Sequence, residues 1–233
     1  MIFFDSKAMY IHSKYILQAF FATIVYQIVI ELTAIWTLTI DFIGFDNYYK
    51  YYLLIQGFVQ LVFIIGFFYF IKTGIANLFD KIDYKWSLIS IVLGCLFPFI
   101  QTPLYWIYNS ICQTNYSITY TLNNFDALLK INTMASILFI PIGEELFFRK
   151  YIQNKLYKNT NAVLLSIFIS SFLFALIHTP YVSLIFGYQK ANWLSPYITF
   201  FGGLISSYLY YQSKSVTSSI LFHIFWNLLV VIN

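Results

Sequence analysis

The chain alternates long apolar stretches with short polar links, which is the pattern of a protein that crosses a membrane several times. About seven stretches approach the roughly 20 apolar residues that a helix needs to span a bilayer. We predict spans at 15–39, 52–71, 86–107, 127–148, 163–186, 195–211 and 218–232. The links are short, and the sequence shows no repeat or low-complexity tract. The pattern predicts an all-α fold, a single polytopic transmembrane helical bundle.

Composition supports a membrane location and excludes two other classes. Hydrophobic residues make up 60% of the chain and charged residues 9%, against about 25% charged in soluble domains. The net charge of +4 comes from lysines in short clusters between the apolar stretches, so no basic face for nucleic acid is predicted. Cys95 and Cys112 form no Cys-x-x-Cys pair, and therefore supply neither a zinc knuckle nor a redox motif.

The placement of lysines predicts the orientation. If the N-terminus is inside, the inner links hold Lys7, Lys14, Lys72, Lys81, Lys85, Lys150, Lys155, Lys158 and Lys214. The outer links then hold Lys50 and Lys190. The positive-inside rule therefore favours a cytoplasmic N-terminus. Frequent Ile, Phe, Tyr, Asn and Lys indicate an AT-rich genome, so we expect the plasma membrane of a low-GC bacterium.

Residues 141–149 place three ionisable side chains, Glu144, Glu145 and Arg149, in a segment otherwise suited to lipid. A charge near the bilayer centre costs about 3 kcal/mol on insertion scales, which indicates a function. Glu145 and Arg149 are four residues apart and can pair on one helix face. Glu144 is rotated by about 100° and can face the bundle interior. The alternative for this segment alone is an ordinary ion pair at a helix end.

Two later apolar segments carry histidines. Phe174 lies one turn before His178, and His223 lies one turn before Asn227. Each pair alone can be a helix–helix hydrogen bond, although His223 and Asn227 can also address one small polar target. Glu144 and His178 each lie 17 residues from Asn161, so an antiparallel hairpin turning there puts them at one depth. We expect a site in the cytoplasmic half of the membrane, open to the cytoplasm.

Taken together, these segments resemble the signature motifs of the CPBP family of intramembrane proteases. That family includes the type II CAAX prenyl endopeptidases and the bacterial Abi proteins linked to bacteriocin processing and self-immunity. The matching motifs are Glu144-Glu145-x-x-x-Arg149, Phe174-x-x-x-His178 and His223-x-x-x-Asn227. The resemblance divides the membrane domain into N-terminal helices one to three at 1–126 and a four-helix catalytic core at 127–233.

The resemblance implies an endopeptidase with four catalytic residues. Glu144 would be the general base that activates a water with help from His178. His223 and Asn227 would donate hydrogen bonds to the developing oxyanion. The substrate would be a membrane-associated peptide or lipidated protein, and in a low-GC bacterium leader peptides of bacteriocins or pheromones are favoured over prenylated CAAX proteins. The partners implied are the lipid bilayer and this substrate, with no nucleic acid.

The remaining motif residues would support the catalytic ones. Glu145 and Arg149 would fix the helix and tune its reactive carboxylate, and Phe174 would pack beside His178.

Two questions stay open at this stage. Glu144, His178 and His223 can hold a zinc ion with an open position, but a metal-free mechanism is equally compatible with the same residues. The motifs also fit a non-catalytic membrane immunity or scaffold protein that binds a peptide with the same fold. A small transporter with a protonatable Glu/His site is a further alternative, although the chain shows none of the internal repeats common in transporters.

Overall fold

The structure, a computed structural model, describes residues 6–42, 51–71, 79–117, 120–179, 181 and 192–233. These residues form seven helical rods and no strand, which confirms the predicted all-α helical bundle. The first three rods are α1 (Ser6–Phe42), α2 (Tyr52–Phe70) and α3 (Tyr84–Cys112). A composite rod follows, made of α4 (Ile131–Ile137), α5 (Phe139–Glu145), a π-helical segment (Leu146–Gln153) and α6 (Asn154–Thr160). The last three rods are α7 (Val163–Leu176), α8 (Leu194–Ser213) and α9 (Val216–Ile232).

Four rods are long and apolar enough to cross a membrane: His12–Thr33 within α1, α2, α3 and the composite rod. α7 and α9 are apolar but have 14 and 17 residues, which is short of a full span. Large apolar side chains such as Phe21, Phe58 and Leu164 face outward from the bundle. An apolar outer surface is what lipid requires, and the protein is therefore an integral membrane protein.

Two of the predicted spans differ most from the helices of the structure. The span predicted at 127–148 begins at Ile131, after a 3₁₀ turn at Phe125–Leu129, and its helix continues to Thr160. The span predicted at 163–186 ends as a helix at Leu176, and its predicted continuation over 182–186 lies outside the described residues. In sequence, Thr179 is followed by Pro180, and a residue before proline disfavours the helical conformation.

The composite rod is irregular where it carries the charged motif. Leu138, with φ −108° and ψ −62°, separates α4 from α5. Pro141 has no N–H and therefore leaves the carbonyl of Ile137 without its helical partner. Directly after Glu145 the helix widens into the π-helical segment, a geometry that is frequent at functional sites. Asn161, in the left-handed conformation with φ 52°, then reverses the chain into α7.

Small residues let the later helices approach each other closely. A Cβ added to Gly203 of α8 would lie 3.2 Å from Cα of Ser171 in α7. A Cβ added to Gly94 of α3 would lie 2.5 Å from the carbonyl oxygen of Phe222 in α9. Close van der Waals packing of this kind replaces the hydrophobic effect as the force between helices in lipid. It fixes α9, and with it His223, against the rest of the bundle.

Candidate active site

The centre of the site is a buried ion pair on the composite rod. Arg149 Nε lies 3.0 Å from Glu145 Oε2, and neither side chain is exposed. Arg149 also donates from Nε to Ser206 Oγ and from Nη1 to Ser170 Oγ, both at 3.1 Å. Ser206 Oγ in turn donates to Glu145 Oε2 at 2.6 Å. Because buried charges need such partners, this pair joins the composite rod to α7 and α8.

Glu145 also holds His223 of α9. Its Oε1 lies 3.1 Å from Nδ1 of the imidazole, so Nδ1–H is the donor of this hydrogen bond. A carboxylate on one ring nitrogen fixes the direction of the other. His223 Nε2 therefore faces Glu144, whose Oε2 is 3.8 Å away and beyond direct hydrogen-bond distance. Trp226 stacks on the imidazole, with ring centres 5.5 Å apart, and limits its rotation.

Glu144 has a looser environment, which α1 and α2 complete. The side chain of Gln60 in α2 packs against Gly143, where an added Cβ would lie 3.2 Å from Gln60 Cγ, and its amide lies within reach of Glu144. Gln60 Nε2 donates to the hydroxyl of Tyr26 in α1, whose ring stacks on Phe147 with centres 4.3 Å apart. Gln60 Oε1 is buried and has no partner among the described residues. This oxygen, which faces Gly143, is therefore available as a hydrogen-bond acceptor.

His178 lies in the turn that follows α7. Its Nδ1 is 2.9 Å from the carbonyl oxygen of Phe174, which leaves Nε2 as an acceptor if Nδ1 carries the proton. Phe174 packs edge-on against both imidazoles, at 4.8 Å from His178 and 5.7 Å from His223. The hydrogen bond from Ser170 Oγ to the Phe148 carbonyl (2.8 Å) sets the hairpin register. This register differs from the predicted one by about one turn, because it places Phe174 opposite Glu144.

Asn227 is engaged with the composite rod. Its Nδ2 donates to the carbonyl oxygen of Ser136 at 3.0 Å. Ser136 lies in the last turn of α4, where carbonyl groups lack intrahelical partners. The break at Leu138 thus provides the acceptor that holds Asn227, and the second hydrogen of the amide is left for another acceptor.

The predicted site residues lie in one cluster, and some of them contact its charged members directly while others pack around them. Contacts within 4 Å connect Glu144, His223, Glu145 and Arg149. Phe174 then packs against both histidines, and Asn227 lies one turn beyond His223. Sequence reasoning missed four polar neighbours, namely Tyr26, Gln60, Ser170 and Ser206. The available signal was the presence of serines and glutamines inside otherwise apolar helices.

Glu144, His178 and His223 are the ligands predicted for a zinc ion. Within the described ranges, no group of three His, Cys, Asp or Glu side chains is placed to hold a metal ion. One nitrogen of each imidazole is already engaged, by Glu145 in His223 and by the Phe174 carbonyl in His178. A zinc requirement stays a prediction.

Comparison with known proteins agrees with an intramembrane protease as the class of this fold and site. Residues 126–229 match the family model described as Type II CAAX prenyl endopeptidase Rce1-like. This segment, a little under half of the chain, is similar to the CPBP family of intramembrane proteases. The matched residues include every predicted site residue, and they exclude α1, α2 and α3. No match was found among curated proteins or solved structures.

Proposed function

We propose that this protein is an endopeptidase that hydrolyses a peptide bond of a membrane-associated substrate with a water activated by Glu144. The observation that supports the proposal is that two adjacent carboxylates have different surroundings. Glu145 is fully buried and bound to Arg149, Ser206 and His223. Glu144 Oε2 lies 3.8 Å from His223 Nε2, beyond hydrogen-bond distance, and Glu144 remains free to take a proton. One carboxylate organises the site while the other reacts.

The reaction begins with a water between Glu144 and His178. Glu144 takes one proton from the water, and the oxygen of the water forms a bond to the carbonyl carbon of the substrate. The electron pair of the C=O bond moves onto the carbonyl oxygen, which becomes an oxyanion. When this intermediate collapses, the C–N bond breaks and Glu144 delivers the proton to the leaving nitrogen.

The oxyanion is stabilised from α9. With Nδ1–H held by Glu145, His223 presents Nε2 towards the side of Glu144 on which the reaction occurs. To donate from Nε2 while Nδ1–H is held by Glu145, the imidazole must carry a hydrogen on both nitrogens. The second Nδ2 hydrogen of Asn227 is one helical turn away. Donors held in place before reaction are effective in a site that excludes most water.

Substrate and location follow from the membrane setting. We propose that the N-terminus and the opening of the site face the cytoplasm of a bacterial cell, as the lysine distribution favours. Leader peptides of bacteriocins or pheromones are the substrates we favour, and lipidated CAAX-type proteins are the second class. Both would reach Glu144 from a membrane-bound position.

The test is peptide cleavage by the purified protein in lipid, read by mass spectrometry. Wild type is compared with Glu144→Gln and with the control Glu31→Gln, which removes a part-buried glutamate of α1 that bonds to Gln27. We expect Glu144→Gln to lower the rate by at least about 10²-fold, the contribution of a general base, and Glu31→Gln to retain it. Equal cleavage by Glu144→Gln would refute the proposal.

The same experiment separates the open alternatives. Candidate leader peptides and a farnesylated CAAX peptide are tested in parallel, each with and without a chelator. Loss of activity with chelator and recovery with Zn²⁺ would establish the metal requirement. If folded wild type and Glu144→Gln proteins are equally inert on every peptide, and both give the same cellular phenotype, the non-catalytic scaffold replaces the protease.

A further inference from the structure

A polar cavity of about 350 Å³ lies at the lysine-rich end of the bundle. It is bounded by the end of the composite rod, α7 and the end of α8, and three lysines line it: Lys150, Lys158 and Lys214. Lys158 lies 14 residues after Glu144 in the same rod, or about 21 Å along a helix axis. We call this cavity the lysine pocket, and it is separate from the site around Glu144.

The charges of the lysine pocket are unbalanced. Lys150 pairs with Asp80, and the other oxygen of Asp80 accepts the backbone N–H of Val216 at 3.1 Å. Both carboxylate oxygens are therefore in use. In the parts of the chain that the structure describes, no ion pair engages Lys158 or Lys214. The pocket thus carries two positive charges in excess, next to hydroxyl donors from its tyrosines.

Lys214 occupies its place at a conformational cost. It ends α8 with φ 56°, in the left-handed region, where glycine fits without strain. Its ammonium group lies 4.1 Å from the ring centre of Tyr211 and 5.7 Å from that of Tyr157. The two rings hold the cation by cation–π attraction at the edge of the pocket. A strained backbone that keeps a cation in such a cradle indicates a role for the side chain.

We propose that the lysine pocket binds the phosphate group of an anionic phospholipid headgroup. Phosphate matches its excess positive charge and its tyrosine hydroxyls. By the positive-inside rule this end of the bundle meets the cytoplasmic leaflet, where anionic lipids concentrate. A basic pocket between helices at that level is the usual setting for headgroup recognition. A soluble phosphate compound shares the chemistry, and the experiment distinguishes the two sources.

The experiment measures lipid retention by native mass spectrometry of the intact, purified protein. The probes are phosphatidylglycerol and phosphatidylcholine at equal concentration, with glycerol phosphate as a soluble competitor. The variants are Lys158→Gln and Lys214→Gln, and the matched control is Lys155→Gln. Lys155 lies on the same rod between the pocket lysines, but its ammonium contacts Tyr151 outside the pocket. Activity on peptides is not part of the readout, so failure here is independent of the proposed protease function.

We expect wild type to retain phosphatidylglycerol over phosphatidylcholine. A lysine near an anionic surface contributes about fivefold in affinity. Each pocket variant should therefore lose at least about fivefold in affinity for phosphatidylglycerol, and the double variant about 25-fold. Lys155→Gln should lose less than either pocket variant. Equal losses at Lys155 and the pocket lysines, or no lipid preference in wild type, would overturn the proposal. Displacement by millimolar glycerol phosphate would overturn the lipid as the source and leave a soluble phosphate site.

Discussion

Gly94 offers a sharp test of the helix packing that supports the site. In Gly94→Ala, the new Cβ would lie 2.5 Å from the carbonyl oxygen of Phe222 and 2.9 Å from Cβ of Phe225. Both contacted atoms belong to α9, and the carbonyl oxygen is part of its backbone. The steric clash can therefore be relieved only if the helix itself moves. Gly66 in α2 is the matched control, because nothing lies within 4 Å of the Cβ that Gly66→Ala adds.

The expected change in the free energy of unfolding follows from two opposing contributions. Overpacking of a close contact costs about 1–3 kcal/mol, while replacing glycine by alanine within a helix gains about 0.5–1 kcal/mol. Gly66→Ala has the gain alone, whereas Gly94→Ala has both, so the two variants should differ by about 2 kcal/mol. For a chain of 150–250 residues this corresponds to a difference of about 4–8 °C in the unfolding midpoint.

The assay is thermal unfolding in one detergent, followed by the fraction that remains monodisperse after heating. Gly94→Ala should unfold several degrees below Gly66→Ala, and its peptide cleavage should fall because a shift of α9 displaces His223. If Gly94→Ala unfolds at the wild-type temperature and cleaves normally, α3 and α9 do not pack as closely as described. An equal fall in both variants would show that the effect is not steric.

Two further predictions concern the polar neighbours of the site. Gln60→Leu should leave the protein folded and lower kcat by up to about tenfold, the value of one hydrogen bond. The control Gln56→Leu, one turn earlier in α2, should leave kcat unchanged. Equal kcat values for the two variants would show that Gln60 does not contribute to the site. Ser206→Ala should lower the free energy of unfolding by about 1–3 kcal/mol, because Glu145 and Arg149 lose a buried partner. Ser218→Ala is its control, since that buried hydroxyl has no partner among the described residues; a similar fall in its unfolding midpoint would contradict the argument.

The local part of the site was predictable from the sequence. The spacing of Glu145 and Arg149 follows from the helical repeat, and their pairing appears in the structure. The same holds for the packing of Phe174 beside His178. Such contacts depend on residues one turn apart, for which the sequence alone contains enough information.

The rest of the site and of the fold depends on tertiary packing and was not predictable from one sequence. Ser206 and Gln60 reach the charged motif from other helices, and no local pattern indicates which serine or glutamine will do so. The π-helical segment begins at Leu146 within an apolar run and has no recognised sequence signal. The predicted span 163–186 relied on hydrophobicity alone, which does not register the end of α7 at Leu176.

The contacts of Gln60 and Tyr26 affect how this protein can be divided or recombined. The segment that matches the family begins at residue 126, yet α1 and α2 supply the phenol and the amide next to Glu144. We therefore expect that residues 126–229 cannot be transplanted as an independent unit. In a chimera that exchanges the first two helices with those of another membrane protein, every motif residue would be retained and the environment of Glu144 would still change. A change in the first two helices can then alter the chemistry of the site as well as the anchoring of the bundle.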